Sequence, residues 1–372
     1  MIDIKDKSQC CGCGACAQRC PKHCITMQED EKGFLYPQVD ADVCVHCGLC
    51  EQVCTFMNVS EEQEPLHCYA AIHPDETVRL ASSSGGVFSA LASRVIEDGG
   101  VVFGARFDEG WLVVHDCAET LEGIDAFRGS KYVQSVIGDS YRRAEEFLNM
   151  GKTVLFSGTP CQIAGLKCFL RKDYPQLITV EVACHGVPSP KVWREYLRTQ
   201  AGNKMISHVN FRDKSTGWHD YSVLIGKRKK RHDNDDYMAC YLANYNYRES
   251  CFVCPSKSGK SGADILIADL WGADAVPDVR NDNKGISAVI AYSSRGLSLL
   301  ERCNMNLTTV DDEVIVKHNG CIKGCPSRPS DYEVFWERYA KHPSWTLRRY
   351  GSFSLPKLII RAKTFISRLV KR

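Results

Sequence analysis

The 372-residue chain has little excess charge of either sign: 47 Lys plus Arg against 45 Asp plus Glu leave a net +2. That balance offers no general attraction to a phosphate backbone, so no nucleic-acid partner is expected. No apolar run approaches the length that spans a bilayer. The opening "MIDIKDKSQC" has neither an apolar stretch nor a cleavage site, so no signal peptide is expected and the location is read as cytoplasmic. No Ser-His-Asp or paired-carboxylate arrangement suggests hydrolysis. What is not scarce is cysteine. Twenty-one in a reducing compartment, an odd count, do not read as a disulfide framework. Metal or redox chemistry becomes the leading explanation.

Cys10, Cys13, Cys16 and Cys20 are spaced C-x2-C-x2-C-x3-C, and Cys44, Cys47, Cys50 and Cys54 repeat that spacing. This is the two-cluster bacterial ferredoxin pattern, in which the fourth cysteine of each run serves the other cluster. Three thiolates on a glycine-tolerant turn wrap one cubane, and the fourth is carried away toward the second. Cys10, Cys13, Cys16 and Cys54 are therefore assigned to one [4Fe–4S] cluster, and Cys44, Cys47, Cys50 and Cys20 to the other. Zinc knuckles would need only two C-x2-C pairs per ion, with no reason for a duplicated run. Cys11 and Cys24 fall outside the pattern and read as bystanders. Between the runs, "ITMQEDEKGFLYPQV" predicts two short strands around an Asp-Glu-Lys-Gly turn.

Residues 1–60 thus read as a ferredoxin-type module, and the polar stretch "NVSEEQEPLH" as a linker. Beyond it, strands ("VVFGARF", "KTVLFSG", "LITVEVACHG") alternate with helical patterns ("GGVFSALASRVIEDGG", "DSYRRAEEFLNMG", "PCQIAGLKCFLRK", "SPKVWREYLRT"). The expected class is α/β: an α+β ferredoxin module, then an α/β domain over 65–372 with a mostly parallel sheet. Its N-terminal part covers about 65–150 and its C-terminal part about 151–330. Residues 206–225 look like hairpins. Two turns, "SGTPCQ" and "ACHGVPS", fall between a strand and a helix, where open α/β folds bind ligands. Gly158, Thr159 and Pro160 are candidates there. "SSSGG" leads directly into a helix, so Ser83, Ser84, Gly85 and Gly86 suit an anion, although a plain N-cap has the same composition. "RGSKY" adds Arg128, Ser130 and Lys131, suited to a pyrophosphate, or to an ordinary surface turn.

Cys161, Cys184 and the pair Cys251 and Cys254 in "SCFVCPSK" suit a third [4Fe–4S] cluster, a zinc site, or no common site. Cys168 reads as core, and Cys321 with Cys325 as a weaker competing pair. His185 next to Cys184 is either a tuning group or structural. "KRKKR" followed by "HDNDD" reads as a solvated hairpin tip. The tail "KLIIRAKTFISRLVKR" reads as a basic amphipathic helix, open to a peripheral membrane contact or to docking on protein.

Taken in order, "SSSGGVFSALA", "RGSKYVQS", "VLFSGTPCQIAGL", "VACHGVPS" and "CFVCPSKSGKSGADILIADLWG" resemble the coenzyme F420 hydrogenase/dehydrogenase beta-subunit family, preceded here by a dicluster ferredoxin module. The resemblance implies an iron–sulfur flavoprotein that passes electrons between clusters, a bound FAD and either F420 or another acceptor. It implies FAD contact at the serine–glycine stretch, and it favours a cluster at the third cysteine set. Some relatives sit among polysaccharide-synthesis genes, so the machinery is better defined than the substrate. Three classes of function follow. The chain is an oxidoreductase acting on a small molecule with a soluble redox partner protein, an electron-transfer subunit of a larger complex, or a protein whose clusters only brace its fold. Flavin suits the first because clusters carry single electrons and hydride chemistry needs two.

Overall fold

The computed structural model describes residues 1–202 and 205–351. The cysteine runs flank a hairpin of β1 (Ile25–Glu29) and β2 (Leu35–Val39), with Ile25 opposite Val39. Asp30 shapes its turn, accepting from the Lys32 and Phe34 amides at 3.0 and 2.9 Å. Each run enters a short helix, Ala15–Arg19 or Leu49–Gln52, through a left-handed glycine. Cys16 and Cys50 take the second position of these equivalent helices.

The chain then lays down β3 (His67–Ile72), β4 (Val101–Phe107), β5 (Val113–Ala118), β6 (Val154–Gly158) and β7 (Leu177–Val182). A separate three-stranded antiparallel sheet follows, of β8 (Val209–Asp213), β9 (Ser222–Ile225) and β10 (Arg228–Arg231). The chain returns through β11 (Ile265–Asp269), β12 (Ser287–Ala291) and β13 (Asn306–Thr309). The large sheet runs β13-β3-β12-β11-β7-β6-β4-β5. Its centre is parallel, β11 to β7 to β6 to β4, and its flanks are antiparallel. β3 lies two antiparallel ladders beyond β11 and shares its direction, so five of the eight strands run one way. β6 and β12 are buried at every position, as strands covered on both faces must be. The helices Val87–Glu97, Ser140–Asn149, Pro160–Leu170 and Pro190–Ala201 form where the spacing predicts them. Ser189 caps the last, accepting from the Val192 amide at 3.2 Å.

Two differences from the sequence reading stand out. Of "KRKKR" only Lys227 lies at the hairpin tip: Arg228–Arg231 is β10, paired with β9. Carboxylates neutralise it from several elements, Arg228 to Asp235 at 2.9 Å, Lys229 to Asp213 at 2.7 Å and Arg231 to Asp220 at 3.3 Å. The ferredoxin module is joined by a coil but is not an independent body. Phe34 and Tyr36 share a core with Trp193, Phe211 and Tyr237, while Ala15 and Cys16 share one with Phe103 and Phe156. The tail expected to be a basic helix, residues 357–372, lies outside the described residues, and with it the expected membrane contact. Among the described residues no helix is long and apolar enough to cross a membrane.

Candidate functional site

The duplicated helices turn the two cysteine runs toward each other. Cys20, Cys44, Cys47 and Cys50 line one small cavity, and Cys24 lines it too, its sulfur 3.3 Å from that of Cys20. Cys54 instead lies within electrostatic reach of Cys10 and Cys16. Cys20 therefore faces the other run's first three cysteines, and Cys54 faces two of its opposite three. Cys47 is exposed, whereas Cys16 is buried beside the α/β domain. Burial pushes the Cys10 thiol up to about 11. Metal ligation removes that proton, because the thiolate is the ligand.

The bystanders of the pattern are close to the chemistry. Cys24 belongs to the wall of the outer cavity. Cys11 is buried, with its sulfur 3.5 Å from Thr55 Oγ1. Hydrogen bonds from Cys13 and Cys161 hold its thiol below the usual range. It therefore links the first run to the third cysteine set. Spacing carries no signal for either residue, because both contacts cross between elements.

Cys161 lies on the first turn of the Pro160–Leu170 helix, Cys184 follows β7, Cys251 lies within the 3-10 turn Glu249–Val253 and Cys254 ends it. Folding brings them into a row: Cys184 near Cys251, Cys251 near Cys254, and Cys254 near Cys161. Burial pushes the Cys251 thiol up to about 12. The Val187 amide points at Cys251 Sγ from 3.3 Å. Lys257, 7% exposed, reaches under the row and donates to the carbonyls of Cys184 and Cys321. Cys321 is buried near Cys184, while Cys325 is exposed. Cys168 is half-buried against the core. Among the described residues no three His, Cys, Asp or Glu side chains close on a single metal ion.

A cavity of about 540 Å³ opens at the carboxyl ends of β6, β7 and β11, where parallel strands leave room for ligands. Cys184 and His185 line it, so the third cysteine set borders it directly. Ser83, Ser84, Gly86, Arg128, Ser130, Lys131, Gly158 and Thr159 also line it; Gly85 and Pro160 do not. Gly85 faces the sheet: a Cβ there would sit 2.2 Å from the Ala71 carbonyl. Its glycine is needed for close packing on β3 and β12, not for room around a phosphate. Pro160 instead starts the helix at its first position.

The polar wall has the features of an anion site. The Val87–Glu97 helix begins at Gly86, φ 96°, with no side-chain cap, so its first amides are free for a ligand. The Ser130 amide donates to Ser83 Oγ at 2.7 Å, tying the two loops together. Lys131 is half-buried and, among the described residues, donates only to the Phe127, Arg128 and Gly129 carbonyls, at 3.1–3.2 Å. Burial without a carboxylate pushes it down to about 7. Arg128 is already paired with Asp125 at 2.7 Å.

A second group of lining residues was not legible as a site. Arg212 forks onto Asp269 at 2.9 and 3.3 Å and lies under the Tyr221 ring at 4.2 Å. Its Nε has no partner among the described residues. Trp271 also lines the cavity, and Trp218 Nε1 donates to Asp269 at 2.8 Å. Asp269 and Trp271 lie within the "IADLWG" stretch, but Arg212 sits in a hairpin with no motif of its own. His115 is buried between Ser135 Oγ and the Ser157 carbonyl, at 2.9 and 3.0 Å, and burial lowers it to about 4.

Residues 9–58 match the 4Fe-4S dicluster domain, and residues 151–313 match the C terminus of the coenzyme F420 hydrogenase/dehydrogenase beta subunit. The chain is similar to a coenzyme F420-dependent sulfite reductase of Methanocaldococcus jannaschii, 29% identical over 206 residues, which are 53% of this chain. The match spans 31% of that relative, well under two thirds of its length. An uncharacterized protein of the same archaeon is 23% identical over 347 residues, 84% of this chain and 91% of its own. A chain of the F420-reducing [NiFe] hydrogenase complex from Methanosarcina barkeri superimposes with a TM-score of 0.50 and 17% identity, covering 82% of this chain and 94% of its own, a likeness of fold. The protein thus joins a segment that matches the 4Fe-4S dicluster domain to an α/β segment that matches the C terminus of the coenzyme F420 hydrogenase/dehydrogenase beta subunit.

Proposed function

We propose that the chain is an iron–sulfur flavoprotein oxidoreductase. It relays electrons between a soluble redox protein and an organic acceptor, F420 or another small molecule, polysaccharide precursors included. The observation that carries this reading is continuity. Cysteine sets run from the exposed Cys47, through Cys16 and Cys11, to Cys161, Cys254, Cys251 and Cys184, and Cys184 borders the large cavity. A row of thiolates reaching from surface to cavity suits electron relay more than bracing.

The charge of the cavity lining suits FAD. The uncapped helix start, the carboxylate-free ammonium of Lys131 and the open Nε of Arg212 offer donors to a pyrophosphate and an anionic ring. When bound, a flavin supplies exchange between one-electron and two-electron chemistry. The residues of the chain bind and orient. Ser83 and Ser130 hold the two anion loops in register, Tyr221 and Trp271 wall the apolar face, and Asp269 fixes Arg212. Cys161, Cys184, Cys251 and Cys254 would hold the third cluster, with the Lys257 ammonium offsetting its negative charge.

Anaerobic purification with iron, sulfide and flavin quantified tests this reading. Three cubanes require about twelve irons per chain, and Cys251→Ser should lower that to about eight. About eight irons plus one zinc in the wild type would make the third set a zinc site. Wild-type protein that takes up no flavin on reconstitution would favour the second reading, an electron-transfer subunit without substrate chemistry.

A further inference from the structure

Arg248 is among the largest side chains sealed from solvent, at 0% exposure. Among the described residues no carboxylate forms an ion pair with it. Its Nε donates to the Cys10 carbonyl at 2.7 Å and its Nη2 to the Leu35 carbonyl at 2.9 Å. Nη1 reaches Gln134 Oε1 at 3.3 Å, and Nη2 points at Cys10 Sγ from 3.7 Å. The group lies over the Tyr36 and Phe34 rings, 4.1 and 5.4 Å from their centroids. It also presses on Gly12 (φ +70°), where a Cβ would stand 2.9 Å from Nη1.

The backbone of the same residue belongs to the third cysteine set. Its amide donates to the Val187 carbonyl, and its carbonyl accepts from the Cys251 amide, both at 3.0 Å. Arg248 thus spans the gap between Cys10 and Cys251. A buried cation lacking a counter-charge is costly even when hydrogen-bonded. Carbonyls and ring faces soften that cost, but a full negative charge at Cys10 would offset it.

We propose that Arg248 is a positioning residue that supplies a fixed positive charge and an N–H donor to the Cys10 thiolate, raising the reduction potential of the first cluster. This rests on reading Cys10, Cys13, Cys16 and Cys54 as that cluster's ligands. Hydrogen bonds to sulfur and local charge are among the levers that set such potentials. A cation stabilises the reduced state, which is one charge more negative. The outer cluster, held by Cys20, Cys44, Cys47 and Cys50, has no such contact with Arg248.

The test is an EPR-monitored redox titration of the full-length, anaerobically purified chain as wild type, Arg248→Gln, Arg248→Met and Arg248→Lys. The two neutral variants should lower the midpoint potential of the first cluster and leave that of the outer cluster in place, with Arg248→Lys nearer to wild type. Loss of the first cluster's signal in both neutral variants, but not in Arg248→Lys, would also support a need for charge. A wild-type potential in a loaded neutral variant overturns the proposal. Loss of the cluster in Arg248→Lys does the same and leaves Arg248 as a clamp of fixed shape. Wild-type protein without cluster signals after reconstitution would instead remove the ligand reading on which the proposal stands.

Discussion

Lys131 shows how a residue's chemistry depends on what surrounds it. In an exposed turn it would be cationic throughout the physiological range. At the cavity wall, without a carboxylate, it falls to about 7. A bound anion favours the ammonium and raises that value again, so above pH 7 binding must take up a proton. Flavin affinity in the wild type should therefore weaken as pH rises beyond about 7, by up to about tenfold per unit. Lys131→Met should flatten the profile, and at pH 6 it should cost about 1.5–3 kcal/mol, the worth of one charge-assisted hydrogen bond. Binding isotherms across pH 6–9 measure both effects; equal slopes in the two proteins would remove Lys131 from the site. "RGSKY" marked this residue as a candidate, but its desolvation was invisible, because the residues that bury it come from other elements.

At the scale of elements, the Ser189 hydroxyl is one of the links between the Pro190–Ala201 helix and the ferredoxin hairpin. Ser189 Oγ accepts from the Val192 amide and donates to the Lys32 carbonyl at 2.5 Å. The cap was legible as Ser-Pro before an apolar pattern. The second bond was not, because it joins residues 157 positions apart. Ser189→Ala should cost about 1–2 kcal/mol, the upper part of the range for N-caps, since two bonds are lost. Thermal unfolding of cluster-loaded protein measures it. A loss below about 0.5 kcal/mol would mean that water replaces the hydroxyl. Gly85 and Gly86 mark the opposite limit of local reading. They are adjacent glycines in one motif, yet one meets the sheet and the other starts the helix at the cavity.

At the scale of the molecule, the crossed cysteine runs tie residues far apart in the chain into common sites. Cys20 lines the cavity of Cys44, Cys47 and Cys50, and Cys54 lies by Cys10 and Cys16. Serine variants should therefore fall into two EPR groups, with Cys20 altering the same signal as Cys44, Cys47 and Cys50. Grouping of Cys20 with Cys10 would refute the crossed arrangement. The same packing makes the ferredoxin part inseparable from the α/β domain. Phe34, Tyr36 and Ala15 are buried in shared cores, and Arg19 pairs with Glu145 at 3.1 Å.

The amino-acid sequence by itself determined the iron–sulfur runs, the hairpin between them, the alternation of strands and helices, and the two strand-to-helix turns that meet the cavity. Those features are encoded by spacing within a few residues, where chain geometry leaves few alternatives. Tertiary structure alone decided which thiols stand together, why Cys11 and Cys24 join them, and that Arg248 bridges two cysteine sets. It also decided that Arg212, from a hairpin without a motif, lines one cavity with Lys131. The physical reason is that burial, desolvation and counter-charge are properties of neighbours, and most of these neighbours lie tens to hundreds of positions away. Local pattern selects the ligands; long-range packing sets their charge.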